Sequence, residues 1–186
     1  MAEPIFVVHE HHASQLHYDF RLEIGGVLKS WAIPKGPSMN PADRRLAILV
    51  DDHALAYGSF EGIIPQGSYG AGAVAIWDSG VFEPLEEDAE TGVRKGHLVF
   101  RLKGKRLWGA FTLVRLKGRA DGKQWLLIKK QDSAADPHWK LDPALTPALK
   151  RGLRKKISLA KSPNDRRGFR GVRQTTAWGA RVTTAR

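Results

Sequence analysis

His11, His17, Asp19 and Arg21 are the residues whose types and spacing could do chemistry. If residues 17 to 22 run as a β-strand, side chains alternate between its two faces. His17, Asp19 and Arg21 then share one face, and Tyr18, Phe20 and Leu22 share the other. His11 arrives just upstream and is expected to turn back toward this ladder. Two imidazoles and a carboxylate can hold a divalent metal on one side and leave its other positions open. Arg21 beside them suits an oxyanion, above all a phosphate. A lone histidine on a polar strand face is usually just solvated. The convergence of four such side chains is what points to a site.

A second polar group follows the apolar run Leu46-Ala47-Ile48-Leu49-Val50, at Asp51-Asp52-His53-Ala54-Leu55-Ala56-Tyr57. A protonated His53 and the Tyr57 hydroxyl can both donate to phosphate oxygens. Lys35, in Pro34-Lys35-Gly36-Pro37, and Arg45 can add positive charge as substrate-binding groups. Taken alone, Tyr57 reads equally well as a barrel aromatic and Lys35 as an ordinary turn residue. Together these residues suggest a metal-assisted phosphoester hydrolase, in which the ion polarises a phosphoryl oxygen and activates water. Mixed His/Asp ligands and an oxygen-rich substrate suit Mn²⁺, although Zn²⁺, Co²⁺ or Fe²⁺ fit the same set. A two-His-one-carboxylate oxygenase is a rival reading, and Arg21 and His53 favour phosphate over it. A non-catalytic nucleic-acid-binding barrel that recruits partner proteins is the other rival, but a pure binder has no need of the His/Asp set.

The elements that must position these groups are mainly strands. The pattern predicts Ile5–His9, His17–Ile24, Val27–Ile33, Arg45–Asp51, Tyr57–Ile64, Ala73–Asp78, Val81–Pro84, His97–Leu102, Leu107–Leu116 and Gln124–Lys130. Gly25-Gly26 reads as a two-residue hairpin turn. Asp78-Ser79-Gly80, Lys103-Gly104-Lys105 and the stretch from Lys117 to Gly122 read as further turns. Short, closely spaced strands with glycine corners predict an all-β fold, a compact antiparallel β-barrel with short flanking helices. Leu85–Lys95 is expected to make a short helix or loop. The glycine-rich run Ile63–Gly72 lacks the Lys-Ser/Thr ending of a Walker-type loop and reads first as a barrel corner. Thr146–Lys156 could form a short helix with Thr146 as N-cap and Pro147 at its first position. Ser162–Arg186 has no periodicity and is expected to be disordered alone.

The chain has 186 residues, 42% of them hydrophobic, enough for one domain with an extension. Residues 1–135 are expected to form the barrel domain, and 136–186 a basic C-terminal extension. Residues 143–186 hold twelve basic residues against Asp165 alone, which matches the whole formal net charge of +11. Such a cationic segment favours polyanions through counterion release, with little sequence preference. There is no cysteine, so disulfides and thiolate zinc sites are excluded. No apolar run reaches the roughly 20 residues needed to span a bilayer, and the N-terminus lacks secretory-signal features, so a cytoplasmic location is expected.

Several blocks resemble the phosphoesterase module of bacterial and archaeal ligase D proteins: His11-x5-His17-Tyr18-Asp19-Phe20-Arg21-Leu22-Glu23, Trp31-Ala32-Ile33-Pro34-Lys35-Gly36-Pro37, Asp52-His53-x3-Tyr57, and Phe60-Glu61-Gly62-x2-Pro65-Gln66-Gly67-x-Tyr69-Gly70-Ala71-Gly72. They occur in order over about residues 5–132. The resemblance implies a Mn²⁺-dependent 3′-phosphoesterase acting on DNA or RNA–DNA 3′ ends in end-joining repair. It implies trimming of a terminal 3′ ribonucleotide to a 3′-phosphate, followed by hydrolysis to a 3′-hydroxyl. It also implies His11, His17 and Asp19 as metal ligands, Arg21 and His53 as the phosphate-binding pair, and Tyr57 as an essential site residue. Lys35 and Arg45 fall at positions that resemble accessory phosphate contacts. His9 and His12 match no ligand position, and His97 and His138 are expected to lie outside the site. Family members often carry a longer arm before the first strand that helps nucleotide removal. The expectation therefore rests more firmly on phosphomonoester hydrolysis. No Lys-x-Asp-Gly nucleotidyl-transfer motif occurs, so the module is read as stand-alone, meeting a separate DNA ligase and end-joining factors in trans. The basic extension is expected to hold DNA in place of the arm.

Overall fold

Alternation along two neighbouring strands separates the inside of this fold from its outside. In the computed structural model, which describes residues 3–118 and 121–152, β1 (Ile5–His12) and β2 (Leu16–Ile24) pair antiparallel, with Val8 opposite Phe20 and His11 opposite His17. Phe6, Val8, Tyr18, Phe20 and Leu22 enter the main apolar core. The intervening residues, His9, His11, His17, Asp19 and Arg21, fall on the other side of the wall.

The wall continues through β3 (Val27–Ile33), β4 (Arg45–His53), β9 (Gln124–Lys129), β8 (Trp108–Arg115), β7 (His97–Lys103) and β6 (Gly72–Pro84). β6 pairs back onto β1 and closes an eight-stranded antiparallel barrel, as expected from the sequence. A short ninth strand, β5 (Gly62–Ile64), pairs with β6 outside the ring. Aromatic rings fill the interior. Phe100 lies 5.6 Å from Phe82, 6.0 Å from Phe20 and 6.1 Å from Phe111 between ring centroids. Trp31 meets Trp125 edge-on at 5.8 Å. The Gly25-Gly26 hairpin turn forms as predicted, with φ of 61° and 79°. The one α-helix wholly within the described residues, α1 (Ala89–Lys95), is capped by Asp88, whose carboxylate accepts from the Thr91 N–H at 2.9 Å.

Two sequence expectations fail, and each failure shapes the site. Ala73–Asp78 and Val81–Pro84 are one continuous strand, β6, and Asp78-Ser79-Gly80 is not a turn. The register against β1 shifts by one residue between Val8 and His9, so the strand bends without breaking. Asp78 is buried and accepts from the backbone N–H groups of Ser79, Lys105, Arg106 and Leu107 at 2.7–3.1 Å. Gly80 is there for close approach: a Cβ would sit 2.1 Å from the Lys103 carbonyl oxygen. Turn-forming residue types thus pair regularly with β1 here, just past the bulged residue Trp77. Likewise Tyr57–Ile64 is not one strand. Leu55–Ser59 forms a single 3₁₀ turn, with Tyr57 N–H bonded to the Ala54 carbonyl at 2.9 Å, before β5 begins. That turn lies over the outer wall, where Gly58 faces Ile5, Val7 and Leu28.

Residues beyond β9 return along the barrel. Trp77 Nε1 donates to the Asp142 carbonyl at 2.7 Å, and Leu145 is buried against Ala75. The carboxylate of Glu10, wholly buried, accepts from the N–H groups of Ala144 and Leu145. Residues 147–152 are helical, and Thr146 Oγ1 accepts from the Leu149 N–H at 3.2 Å, as the N-cap reading expects. The rest of that predicted helix, and the expected disorder of Ser162–Arg186, lie outside the described residues.

Candidate metal centre and phosphate site

The site lies on the outer wall of the barrel, between β1, β2, the end of β4 and a cover made by the 3₁₀ turn and the glycine-rich loop. His11 does not turn back from an upstream loop as expected. It sits inside β1, directly across from His17. This cross-strand position brings the two imidazoles to 4.7 Å between centroids, tilted at 57°. Asp19 lies one pleat further along β2. His11 Nδ1 is 3.5 Å from Asp19 Oδ2, and His17 Nε2 is 3.5 Å from Asp19 Oδ1. One donor atom from each of the three lies within 4.8 Å of the others, the signature of a centre able to hold a cation.

The outer nitrogens of both rings are already engaged. His11 Nε2 is 2.8 Å from the Gly70 carbonyl oxygen, to which its N–H donates. His17 Nδ1 donates to the Gln15 carbonyl at 3.1 Å. In the neutral rings these bonds set the tautomers, so that Nδ1 of His11 and Nε2 of His17 are the lone-pair nitrogens facing Asp19, free for a cation. A hard or borderline divalent ion fits such a nitrogen–oxygen set. Burial pushes the Asp19 carboxyl up, but the contacts with His11 and His17, which become hydrogen bonds to Asp19 when those rings are protonated, and the Arg21 charge outweigh it and hold the group well below the usual carboxylate range. The bond to Asp19 raises the pKa of His17 above its ordinary value.

Arg21 is 2% exposed and lies deep in the wall. Its Nη2 donates to Asp19 Oδ2 at 3.1 Å, its Nη1 to Ser30 Oγ at 2.8 Å, and its Nε to His9 Nδ1 at 3.1 Å. The guanidinium also rests 5.0 Å from the Tyr57 ring centroid. Burial lowers the Arg21 pKa, partly offset by Asp19. His53, at the end of β4, places Nδ1 3.0 Å from Arg21 Nη1 and 3.0 Å from the Asp51 carbonyl oxygen. Burial, then the Arg21 charge, lowers its pKa below the ordinary value. The sequence reading had a protonated His53. The structure favours the neutral ring, since a second cation beside Arg21 is disfavoured. With Nδ1 accepting from Arg21, Nε2–H remains to donate.

Tyr57 stands on the 3₁₀ turn, its ring 4.8 Å from His53 and stacked on Phe60 at 5.1 Å. Burial raises its pKa. His11, His17, Asp19, Arg21, His53 and Tyr57 thus line one cavity of about 260 Å³. Lys35 and Arg45 do not line it. They border a second depression with Asp43 and Arg44, where Arg45 Nη2 donates to Asp43 Oδ2 at 2.8 Å. His12 points away and donates to Glu10 Oε1 at 2.7 Å. His97 lies on β7, 3.9 Å from Glu86, and His138 follows β9, its N–H bonded to Asp136.

Three contributors escaped the sequence reading. His9, wholly buried, sits directly opposite Asp19 and holds Arg21. Its pKa is lowered to about 4, first by burial and then by Arg21, so it is a neutral acceptor. The signal was present, because His9 and His11 share a face by the same alternation that groups His17 with Asp19. Ser30 and Gly70 gave no comparable signal. Their roles depend on which strands become neighbours. The glycine-rich stretch does turn the chain between β5 and β6, and its Gly70 carbonyl also orients a candidate ligand.

The sequence is similar to proteins of known description. The multifunctional non-homologous end joining protein LigD of Pseudomonas aeruginosa is 53% identical over 130 residues, 70% of this chain and 15% of that protein. The multifunctional non-homologous end joining DNA repair protein LigD of Mycobacterium tuberculosis is 47% identical over 123 residues, 65% of this chain and 15% of its own length. The LigD protein of Mycolicibacterium smegmatis is 42% identical over 132 residues, 68% of this chain and 17% of its own length. The chain therefore spans about a sixth of the curated relatives it matches. The family model described as the DNA ligase D 3′-phosphoesterase domain matches residues 9–115, the stretch that holds every side chain of the cavity, and this chain belongs to that family.

Proposed function

We propose that this chain is a metal-dependent 3′-phosphoesterase that restores 3′-hydroxyl ends on DNA or RNA–DNA strands for end-joining repair. Removal of a 3′-phosphate is its principal reaction, and trimming of a terminal 3′ ribonucleotide is a second. One observation supports this above the others. The free lone pairs of His11 and His17 converge on Asp19 next to a buried arginine, with every other ring nitrogen of the pair tied to backbone.

His11, His17 and Asp19 would hold the ion, with Mn²⁺ as the favoured metal. A divalent ion there supplies Lewis-acid polarisation of a phosphoryl oxygen and activation of water. Arg21 binds the phosphate and opposes the negative charge that grows on its oxygens. His53 donates through Nε2–H to the same group, and Tyr57 backs Arg21 with its ring and offers a hydroxyl. Lys35 and Arg45, on the neighbouring depression, make accessory contacts to the strand. Residues 1–135 form the catalytic domain, and the basic extension, 136–186, holds DNA through its phosphates. A cytoplasmic location and a separate ligase acting on the healed end complete the reading. Among the described residues, no helix is long and apolar enough to cross a membrane.

The test is phosphate release from primer-templates ending in a 3′-phosphate or a single 3′-ribonucleotide, with Mn²⁺, Mg²⁺, Zn²⁺ or chelator. The wild type releases phosphate with Mn²⁺ and stops with chelator, and His17→Ala is inactive. KM rises steeply with salt as DNA contacts are screened. Full activity in chelator, or in His17→Ala, rejects the reading.

A further inference from the structure

The cavity holds two tyrosines in opposite circumstances. Tyr57 is half-buried, stacked on Phe60 and set under Arg21. Tyr69 also lines the cavity, yet it is 90% exposed. Among the described residues, no aromatic ring or cation lies against it. Its loop is nevertheless built in place. Ser68 N–H bonds the Pro65 carbonyl at 3.2 Å, and Ala71 N–H bonds the Ser68 carbonyl at 3.1 Å. The next residue, Gly70, accepts the His11 N–H through its carbonyl, and a Cβ on it would lie 3.6 Å from His11 Cε1. Tyr69 is therefore one backbone step from the peptide that orients a candidate metal ligand.

We infer that Tyr69 is the stacking platform for the terminal nucleobase of the strand whose 3′ end enters the cavity. This rests on the proposed phosphoesterase reading and adds to it a binding contact for the base. A free phosphate, or a small phosphate ester, has no use for an open aromatic face at the mouth of an anion site. A nucleotide 3′-phosphate brings a sugar and a planar base attached to the group being held. The base must lie close to the phosphate, and Tyr69 lines the same cavity with its ring open to solvent. Stacking is sequence-tolerant, because every base has a π-face. The contact thus grips a 3′ end without reading it, as an enzyme meeting arbitrary broken ends requires.

The experiment uses the full chain with duplexes whose recessed 3′-phosphate end carries either a normal base, an abasic sugar or 2-aminopurine at the last position. Two readouts are taken: KM and kcat for phosphate release, and quenching of 2-aminopurine fluorescence on binding. The wild type should have a lower KM for the base-bearing end than for the abasic end by about 5- to 150-fold, the range of one base–aromatic stack. Tyr69→Ala should abolish that preference and the quenching, while Tyr69→Phe and Tyr69→Trp keep both. Equal KM values for the two ends in the wild type, or wild-type quenching in Tyr69→Ala, would overturn the inference. Quenching that depends on Tyr69 without phosphate release from any end would uphold the platform and reject the phosphoesterase reading instead. Because Tyr69 is 90% exposed, its replacement removes little buried surface, and loss of fold does not confuse the result.

Discussion

Two buried cations stand on different strands of the same barrel, β2 and β9, with β3 and β4 between them, and they are used in opposite ways. Lys129, on β9, has a side chain with no exposure, and its ammonium donates to the Ala110 carbonyl, the Lys130 carbonyl and Asp132 Oδ1 at 2.6–3.0 Å. All three of its N–H groups are engaged. Asp132 is itself filled by the N–H groups of Ala110 and Ala134. Arg21, on β2, is buried nearly as deeply, yet its neighbours are left unfinished. His11 and His17 each keep a lone pair facing Asp19, and Asp19 has oxygens to spare. A buried charge alone does not mark a functional site. What marks it is bonding capacity left over and aimed at a cavity.

The comparison breaks most readily at Arg21. Arg21→Ala should cost about 2.7–4 kcal/mol of activation free energy, or roughly 10²–10³-fold in kcat, as loss of one preorganised donor does. Arg21→Lys should recover little, because an ammonium cannot reach His9, Ser30 and Asp19 in the planar fork that a guanidinium provides. Steady-state kinetics on a 3′-phosphate end, with metal content measured beside them, checks this. Near-normal kcat in Arg21→Lys would show that only the charge matters.

The matching cut in the closed cluster is Asp132→Ala. It leaves Lys129 buried with two carbonyls and no counter-charge, and should destabilise the protein by about 3 kcal/mol, the low end for a broken buried pair because Asp132 keeps some contact with water. Catalysis per folded molecule should not change. The pH dependence has a definite sign. Burial raises the Asp132 pKa, but Lys129 and the two backbone donors outweigh it and set the folded value below the ordinary one. Its stabilising contribution is thus present above the unfolded carboxylate pKa, about 4, and is lost as pH falls through the lower folded value. Urea midpoints of wild type and Asp132→Asn should converge below that pH. A gap that stays constant into acid would remove the ion pair as the cause.

The two clusters were unequally legible in the sequence. His17, Asp19 and Arg21 could be grouped without coordinates, because alternation in one strand is a local property. The barrel was legible for the same reason, from strand spacing and glycine corners. His53 and Tyr57 were placed at the site, but the 3₁₀ turn that presents Tyr57 was not foreseen, and neither was the β6 bulge. Both depend on packing that only the closed barrel creates. The Asp78 carboxylate spans from β6 to residues 105–107, and no local signal announces a partner 27–29 residues away. Lys129 and Asp132 gave nothing functional to read, and the structure confirms their satisfied state.

His9 lies between these cases and gives a smaller expected effect. It contacts no candidate metal donor within hydrogen-bond distance; it holds Arg21 through Nε. His9→Leu should lower kcat about 10- to 100-fold, equivalent to losing a hydrogen bond to a charged group of about 1.5–3 kcal/mol. His9→Asn, whose amide oxygen can accept from Nε, should recover most of it. Metal content should stay at the wild-type level in both. If His9→Leu loses metal and activity together, then His9 belongs to the ion's own surroundings and not to those of Arg21.

His12 sharpens the same contrast at the smallest scale. It follows His11 directly, so the pleat sends it to the opposite side, where it donates to Glu10. Glu10 is wholly buried and also receives the Ala144 and Leu145 N–H groups, so it pins the returning segment to β1. Removing the imidazole leaves the carboxylate with two partners and an adjacent space that water can enter, since the His12 side chain is 25% exposed. His12→Ala should therefore cost about 1 kcal/mol of stability, the ordinary worth of one hydrogen bond, and change kcat and metal content by less than about twofold, within the range of surface substitutions. Thermal denaturation beside metal analysis checks both halves. Two adjacent histidines then separate cleanly, His11→Ala losing the metal and His12→Ala losing only stability. If His12→Ala loses the metal too, the strand is not in the register that places His11 opposite His17, and the whole assignment of β1's outer face must be redrawn.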